Sequence, residues 1–316
     1  MIYSFAKENN KLKELADHNG ATWINLYPPF EHGELDEISA AYDIPLDFLT
    51  DSLDMDERSR YEKDEDVILI LINTPILNDD AKESEAIYIT VPVGVILSEK
   101  VIITVTGREN PILEKFMEDK VKNFDPSDKQ LFVIQIFEQT VFRFLDCLKK
   151  LNLKRNLIEQ ELYHSSRNEE LQQLLRIEKS LVYFVNSLSA NDLLKMKIKR
   201  TDVLKIGNME AHTDHFEDII IDNSQALEMS NVYTNILGST MEAYASIVSN
   251  NMNIFIHRLT IITIILMVPT LVASFYGMNL EYLPFRESKF AFPFIIIFSI
   301  VLGFGLIAWF RKNRRI

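Results

Sequence analysis

Four acidic side chains recur at every fourth position of one segment, namely Glu210, Asp214, Asp218 and Asp222. Residues four apart share one face of an α-helix, and like charges placed there destabilise it by roughly 0.2–0.5 kcal/mol per pair. A second acidic cluster, LDFLTDSLDMDE, contains Asp47, Asp51, Asp54, Asp56 and Glu57. The two clusters predict either solvated acidic faces or places where divalent cations bind.

A second helical spacing, in a strongly apolar segment, combines side chains that bear neutral oxygens with apolar ones. The residues recur three or four apart and are Asn253, Ile256, Leu259, Thr263, Met267, Thr270 and Ser274. Neutral oxygens combined with apolar constrictions let a cation pass without holding it tightly, which favours a pore face. The alternative is ordinary helix packing, because small and hydroxyl residues are common where membrane helices touch.

Residues that could support catalysis or resident metal chemistry are few. The only cysteine, Cys147, cannot form a disulfide within the chain or a thiolate cluster, as expected in a reducing compartment. His212 and His215 have the spacing of a transition-metal pair, although exposed histidines at the start of a helix are the alternative. The sequence therefore predicts a non-enzymatic protein with no organic cofactor.

Charge is distributed unevenly along the chain of 316 residues. The net charge is −13, yet residues 251–316 hold seven Lys/Arg and two Asp/Glu, so the first 250 residues carry −18. Such an acidic part argues against nucleic acid as a partner and fits a cation. The N-terminal residues lack the apolar core of a signal peptide, so the acidic part is predicted to remain in the cytoplasm.

Two uncharged apolar segments predict membrane spans, at Leu259–Tyr276 and Phe290–Phe310. The second is about 31 Å long as a helix, close to the thickness of the bilayer hydrocarbon. Aromatic residues flank the segments and RKNRR follows the second, which places the C-terminus on the cytoplasmic side. We expect a multi-pass protein of the inner (plasma) membrane with both termini cytoplasmic. A buried hairpin in a soluble protein is the alternative.

The acidic part divides by pattern into two regions. Residues 1–125 predict an α/β domain, with a helical segment broken at Pro45 and strands in TWINLYP, EDVILILINTPIL, EAIYITVPVGVILS and KVIITVTG. Residues 126–207 predict an antiparallel helix pair, with apolar residues at three- and four-residue spacing in Phe132–Leu153 and Asn168–Leu193.

One long helix is predicted to follow. Asn208 is its expected N-cap, and a helix over Met209–Tyr276 would be about 100 Å long. A largely apolar stripe from Phe216 to Val248 resembles a coiled-coil seam, which favours packing between copies about a symmetry axis. The predicted order is a stalk and first span at 208–276, an external loop at 277–289, a second span at 290–310 and a basic tail at 311–316.

The residues YGMN at Tyr276–Asn279, followed by LEYLP and a basic tail, resemble the CorA family of magnesium transporters. SIVSNNMN, LTIITIILMVP and TWINL extend the resemblance upstream. The family implies a homopentameric channel in the lipid bilayer. Each copy would have an α/β cytoplasmic funnel domain, a long α-helical stalk and two C-terminal transmembrane helices. The transported ion would be hydrated Mg²⁺, with Co²⁺ and Ni²⁺ as further substrates.

The resemblance also implies roles for particular residues. Gly277, Met278 and Asn279 would form the selectivity filter, in which five Asn279 amides accept hydrogen bonds from the water shell of Mg²⁺. Asn253 would form an inner polar ring and Thr270 a further ring. Ile256, Leu259 and Met267 correspond to the hydrophobic gate.

A regulatory role follows from the same resemblance. Asp51 and Asp218 correspond to carboxylates that sense cytosolic Mg²⁺ between subunits, with Asp214 and Asp222 on the same helix face. Bound Mg²⁺ would hold the channel closed. Two alternatives stay open: a zinc or other divalent-metal transporter of the same superfamily, and a two-span membrane sensor.

Overall fold

The computed structural model describes residues 1–8, 11–18, 20–79, 85–162, 168–278 and 290–312. The chain divides into two compact units, Met1–Met241 and Glu242–Ile316. The boundary falls inside one continuous helix, so the units share an element of secondary structure.

The first unit contains a seven-stranded sheet with the strand order β2-β1-β3-β7-β6-β5-β4. Its strands are β1 (Ile2–Glu8), β2 (Lys11–Leu15), β3 (Trp23–Leu26), β4 (Arg60–Asp64), β5 (Val67–Leu77), β6 (Tyr88–Leu97) and β7 (Ile102–Thr106). Neighbouring strands are antiparallel except β3 and β7, which pair in parallel with Trp23 opposite Ile102. The four predicted strands are confirmed as β3, β5, β6 and β7.

Both faces of the central strands are buried. Successive side chains of a strand point to opposite faces, and here both sets lie in a hydrophobic core. Leu69 and Leu71 of β5 lie in the core on one face, with Phe48 of the short helix α2. Ile70 and Ile72 lie in the core on the other face. The continuous apolar runs of these strands are the pattern expected for strands covered on both sides.

Three short helices belong to this unit: α1 (Glu34–Tyr42), α2 (Leu46–Asp51) and α3 (Pro111–Met117). The predicted break at Pro45 is confirmed, because this residue occupies the N-cap of α2. The helix α3 begins after Asn110, whose side chain accepts a hydrogen bond of 3.0 Å from the backbone N–H of Ile112.

The predicted helix pair is present as α4 (Lys129–Leu162) and α5 (Asn168–Thr201). The helix α4 extends beyond both predicted ends, whereas α5 begins at the predicted residue and extends beyond its predicted C-terminal end. The long helix is α6 (Glu210–Tyr276). Asn208 is not its N-cap, because Asn208 lies in a 3₁₀ turn (Ile206–Asn208). The carbonyl of Met209 instead accepts from the backbone N–H groups of His212 and Thr213, each at 3.1 Å.

The predicted stripe on α6 packs within one chain over the first unit. Phe216, Asn223, Ser230 and Leu237 are all buried there. The Nζ of Lys195 on α5 donates to Oδ1 of Asn223 at 2.7 Å, and Nδ2 of Asn223 donates to the carbonyl of Leu188 at 3.1 Å. The interpretation of this stretch as a seam between copies was therefore wrong. An apolar repeat of this period serves equally for packing inside one subunit.

The second unit contains the end of α6 and the helix α7 (Ala291–Lys312). Each helix contains a segment long and apolar enough to cross a membrane. Burial in these apolar segments is confined to one stripe. It is formed in α6 by Ile261, Ile265, Val268, Pro269, Val272 and Tyr276 and in α7 by Ile295, Ser299, Gly303, Leu306 and Phe310. The small residues at the centre of the α7 stripe allow the close approach of helices that is common in membranes.

Candidate functional site

The predicted pore residues lie on the uncovered side of α6. Asn253, Ile256, Leu259, Thr263, Met267, Thr270 and Ser274 are all exposed in the single chain. At 3.6 residues per turn, this face is opposite to the stripe from Ile261 to Tyr276. The helix therefore has a covered apolar face and an open face that bears neutral oxygens.

The threonine hydroxyls on this face have a defined orientation. Oγ1 of Thr263 donates to the carbonyl of Leu259 at 2.8 Å, and Oγ1 of Thr270 donates to the carbonyl of Met267 at 2.8 Å. A hydroxyl has one hydrogen and two lone pairs. Because the hydrogen is used inside the helix, each oxygen is left as a hydrogen-bond acceptor.

Pro269 lies next to Thr270, and its ring removes the N–H that would normally bond the carbonyl of Ile265. The helix nevertheless continues through Pro269 as far as Tyr276. The other contact of Thr270 is to the carbonyl of Leu266, at 3.2 Å. This hydroxyl therefore bonds two carbonyls in the turn next to the proline.

The predicted filter residues begin where α6 ends. The N–H of Gly277 donates to the carbonyl of Ala273 at 2.9 Å, and the N–H of Met278 donates to that of Phe275 at 3.3 Å. Gly277 does not have a positive φ, so its backbone conformation does not itself require glycine. Asn279 lies outside the described residues.

Asp51, the last residue of α2, is held by a positive charge from its own chain. Nη2 of Arg60 donates to Oδ2 of Asp51 at 2.8 Å. Arg60 also forms ion pairs with Glu57 and, through Nε at 3.6 Å, with Glu62. Partial burial alone would lower the pKa of Arg60, but the three carboxylates outweigh it and raise that pKa. Arg60 was missed from the sequence because β4 was not predicted.

The other predicted regulatory carboxylates lie along α6. Asp214 and Asp218 are exposed, and Asp222 is half-buried. Among the described residues of one chain, no three or more His, Cys, Asp or Glu side chains are grouped to hold a metal. A cation site that uses Asp51 and Asp218 therefore needs ligands from another copy or from water.

The two histidines at the start of α6 each face their own carboxylate. Nε2 of His215 is 2.8 Å from Oε1 of Glu138, and Nε2 of the buried His212 is 3.9 Å from Oδ2 of Asp128. The alternative that both histidines are exposed was wrong, because His212 is buried and His215 is half-buried. Glu138 lies on α4 and Asp128 is the residue before it, so the two rings face different carboxylates and are not arranged as a metal-binding pair within one chain.

Lys195 is a feature that the sequence analysis did not single out. Its side chain is fully buried beside Asn223, with Nζ 5.4 Å from the centre of the Phe137 ring. Burial lowers the pKa of Lys195 to about 7, an effect that the charge of Asp192 opposes. This lysine of α5 contacts the Phe137 ring on α4 and the Asn223 amide on α6, so it lies at the junction of the three helices.

This chain is similar to known proteins in both sequence and fold. The chain is 27% identical over 306 residues to the cobalt/magnesium transport protein CorA of Methanocaldococcus jannaschii, covering 92% of this chain and 90% of that protein. The complete structure of the CorA magnesium transporter from M. jannaschii matches with a TM-score of 0.79 at 24% identity, over 99% of this chain and 98% of that one.

A likeness also extends to the ZntB cytoplasmic domain from Vibrio parahaemolyticus, with a TM-score of 0.60 at 10% identity. That match covers 78% of this chain and 98% of the other, and at this identity it shows the fold alone. The model of the CorA-like Mg²⁺ transporter family matches residues 18–312, almost the whole chain. The chain therefore belongs to the CorA-like Mg²⁺ transporter family.

Proposed function

We propose that this chain assembles into a channel, with five copies as the family implies, and that the channel conducts hydrated Mg²⁺ across the inner membrane. The observation that carries the proposal is the open face of α6, on which Thr263 and Thr270 present acceptor oxygens. A polar face directed at lipid is unfavourable, because hydrocarbon offers no hydrogen-bond partners. Several copies with these faces directed inward would enclose a water-filled pathway.

The chemistry of the face suits a hydrated cation. Mg²⁺ gives up its water reluctantly, and the hydrogens of that bound water point outward. Acceptor oxygens on Asn253, Thr263 and Thr270 can bind those hydrogens without replacing the water. The apolar side chains of Ile256, Leu259 and Met267 alternate with these oxygens, and an apolar constriction can close a pore by excluding water.

We assign selectivity to Gly277, Met278 and Asn279 at the external mouth, with a ring of Asn279 amides as the filter. A Cβ added at Gly277 would lie 3.4 Å and 3.5 Å from the carbonyl oxygens of Ala273 and Ser274, an ordinary contact distance. One chain therefore has room for alanine at this position. The need for glycine arises where several copies converge.

Regulation is assigned to the acidic unit, which in this proposal lies in the cytoplasm together with both termini. Carboxylate oxygens are ligands that Mg²⁺ accepts. Asp218 of one copy, with Asp214 and Asp222 nearby on α6, and Asp51 of its neighbour would bind the ion and hold the pore closed. Mg²⁺ is thus both the transported ion and the regulatory ligand, and no organic cofactor or enzymatic step is needed.

Mg²⁺ uptake into proteoliposomes loaded with a Mg²⁺-sensitive dye tests the proposal. We expect uptake by the wild type and loss of uptake in Asn279→Ala. Asn251→Ala is the matched control, because Asn251 is exposed on α6 but lies on the other side from Asn253. Absence of Mg²⁺ uptake by the wild type would refute the channel, whereas equal uptake by all three proteins would refute the assigned filter.

A further inference from the structure

Arg60 is surrounded by three carboxylates, so the local charge around it is negative even though a cation is already present. Its ion pairs are with Asp51 at 2.8 Å, with Glu57, and with Glu62 at 3.6 Å. The side chain of Asp51 is 38% exposed and that of Arg60 is 32% exposed. A cation from solution can therefore reach Asp51, but it meets the guanidinium there.

The scaffold fixes Arg60 and Glu57 independently of Asp51. Arg60 lies on β4, where it pairs with Leu71 of β5, and Glu62 follows two residues later on the same face of the strand. The connection before β4 is tied down as well, because Nδ2 of Asn73 donates to the carbonyl of Glu57 at 3.3 Å. The guanidinium is thus positioned by the sheet, whereas Asp51 belongs to a different element, α2.

This arrangement allows an exchange of partners at Asp51. A guanidinium has five N–H donors, so Arg60 keeps Glu57 and Glu62 as partners when Asp51 turns to another cation. A carboxylate paired with arginine binds a divalent cation less tightly than a free carboxylate, because the two positive charges compete for the same oxygens. The exchange costs one partly exposed ion pair and leaves the arginine satisfied.

We propose that Arg60 is an internal competitor for the divalent cations that bind Asp51, and that it thereby sets the Mg²⁺ concentration at which the sensing carboxylates respond. The inference rests on the proposed function, in which Asp51 is one of those carboxylates. Arg60 is a positioning and tuning residue, since it acts through Asp51 and does not itself bind the ion.

The test uses the full-length protein in two measurements. The rise of Tm with Mg²⁺ concentration in detergent gives the half-saturating concentration, because a ligand that binds the folded state stabilises it. Mg²⁺ flux in proteoliposomes at graded internal Mg²⁺ gives the concentration that closes the channel. In Arg60→Gln we expect both concentrations to fall by about two- to fivefold, the range for losing one partly exposed ion pair.

Three variants separate this effect from general changes in charge or folding. Arg58→Gln removes the same charge from an exposed residue two positions away, and it should leave both concentrations unchanged, because the charge of an exposed side chain is screened by solvent. Arg60→Lys keeps the charge but loses the fork, so its shift should be smaller than that of Arg60→Gln. In an Asp51→Asn background, Arg60→Gln should cause no further shift.

The outcomes distinguish this inference from the function on which it rests. Wild-type protein without Mg²⁺ flux would overturn the proposed channel. In a second outcome, the wild type conducts Mg²⁺ while Asp51→Asn leaves the dependence of flux on internal Mg²⁺ as it is in the wild type. That result would overturn both the sensing role of Asp51 and the role of Arg60. Normal sensing by the wild type, with an unchanged or higher half-saturating concentration in Arg60→Gln, would overturn the role of Arg60 alone.

Discussion

Trp23 and Trp309 are the two tryptophans of the chain, and they lie in opposite surroundings. Trp23 is fully buried in the first unit, with the rings of Phe116, Phe124 and Phe132 packed around it. Trp309 of α7 is 51% exposed in the second unit. The apolar segments of α6 and α7 extend the contrast, because only 6% and 11% of their residues are buried.

This contrast separates a part of the molecule that one chain completes from a part that one chain leaves open. In the first unit, buried polar groups such as Asn223 find partners in the same chain. In the second unit, large apolar side chains such as Leu266 and Met267 remain more than half exposed. Lipid and further copies of the chain are the surroundings that can cover them. The proposed pathway belongs to the part that requires assembly.

The largest expected effect is on the stability of the first unit. Trp23→Ala should destabilise the protein by about 3–5 kcal/mol, because it empties a packed core and removes the hydrogen bond from Nε1 to Thr104, which measures 2.9 Å. Trp309→Ala makes the same change at an exposed site and should cost less than about 1 kcal/mol. Tm measurements on the full-length variants in detergent compare them, and equal losses would contradict the contrast.

The next effect concerns Lys195, the buried titratable group at the junction of α4, α5 and α6. Its pKa of about 7 in the folded protein is lowered by burial and lies below the value of the unfolded chain, about 10.4. Above pH 7 the folded state binds fewer protons than the unfolded state. Stability should therefore rise from pH 7 towards pH 10, by up to about 1.4 kcal/mol per pH unit.

Tm measured between pH 7 and pH 9 checks this expectation. Lys195→Met should lose that rise, because the titrating group is gone. Lys197→Met removes an exposed lysine of the same helix and should keep the wild-type slope. A slope in Lys195→Met equal to that of the wild type would show that the lysine is not the source.

The smallest effect on stability is expected at Gly277. Gly277→Ala should change the stability by less than about 1 kcal/mol, because the added Cβ meets only ordinary contacts within one chain. Mg²⁺ flux should nevertheless fall, since in the proposal the glycines of several copies converge at the mouth. A variant with normal Tm and normal flux would contradict that convergence.

The sequence predicted the elements whose patterns depend on a few neighbouring residues. Strands β5, β6 and β7 were found because they are rich in β-branched residues, and the length of α6 followed from a long stretch poor in glycine and proline. Strands β2 (KLKEL) and β4 (RYEKD) were missed because their charged residues hide the apolar alternation. Such charges suit the two edges of the sheet, where they discourage pairing with other chains.

The candidate site was predicted unevenly for a related reason. The open face of α6 follows from spacing alone, and the structure places all seven predicted residues on the uncovered side. The ion pair of Asp51 with Arg60 depends on the placement of α2 beside β4, which no local pattern encodes. The stripe containing Asn223 was assigned to the wrong partner because packing within a chain and packing between chains use the same helical period.

The central claim, that the open face of α6 lines the Mg²⁺ pathway, is tested most directly by modifying single cysteines during flux. Ser274→Cys lies on that face, whereas Ala273→Cys is an equally small change about 100° around the helix. The native Cys147 provides a silent background, because it is buried and burial raises its pKa to about 11. A membrane-impermeant methanethiosulfonate should block Mg²⁺ flux through Ser274→Cys and spare both Ala273→Cys and the wild type. Unchanged flux in Ser274→Cys, or equal block in both variants, would contradict the assignment of this face to the pore.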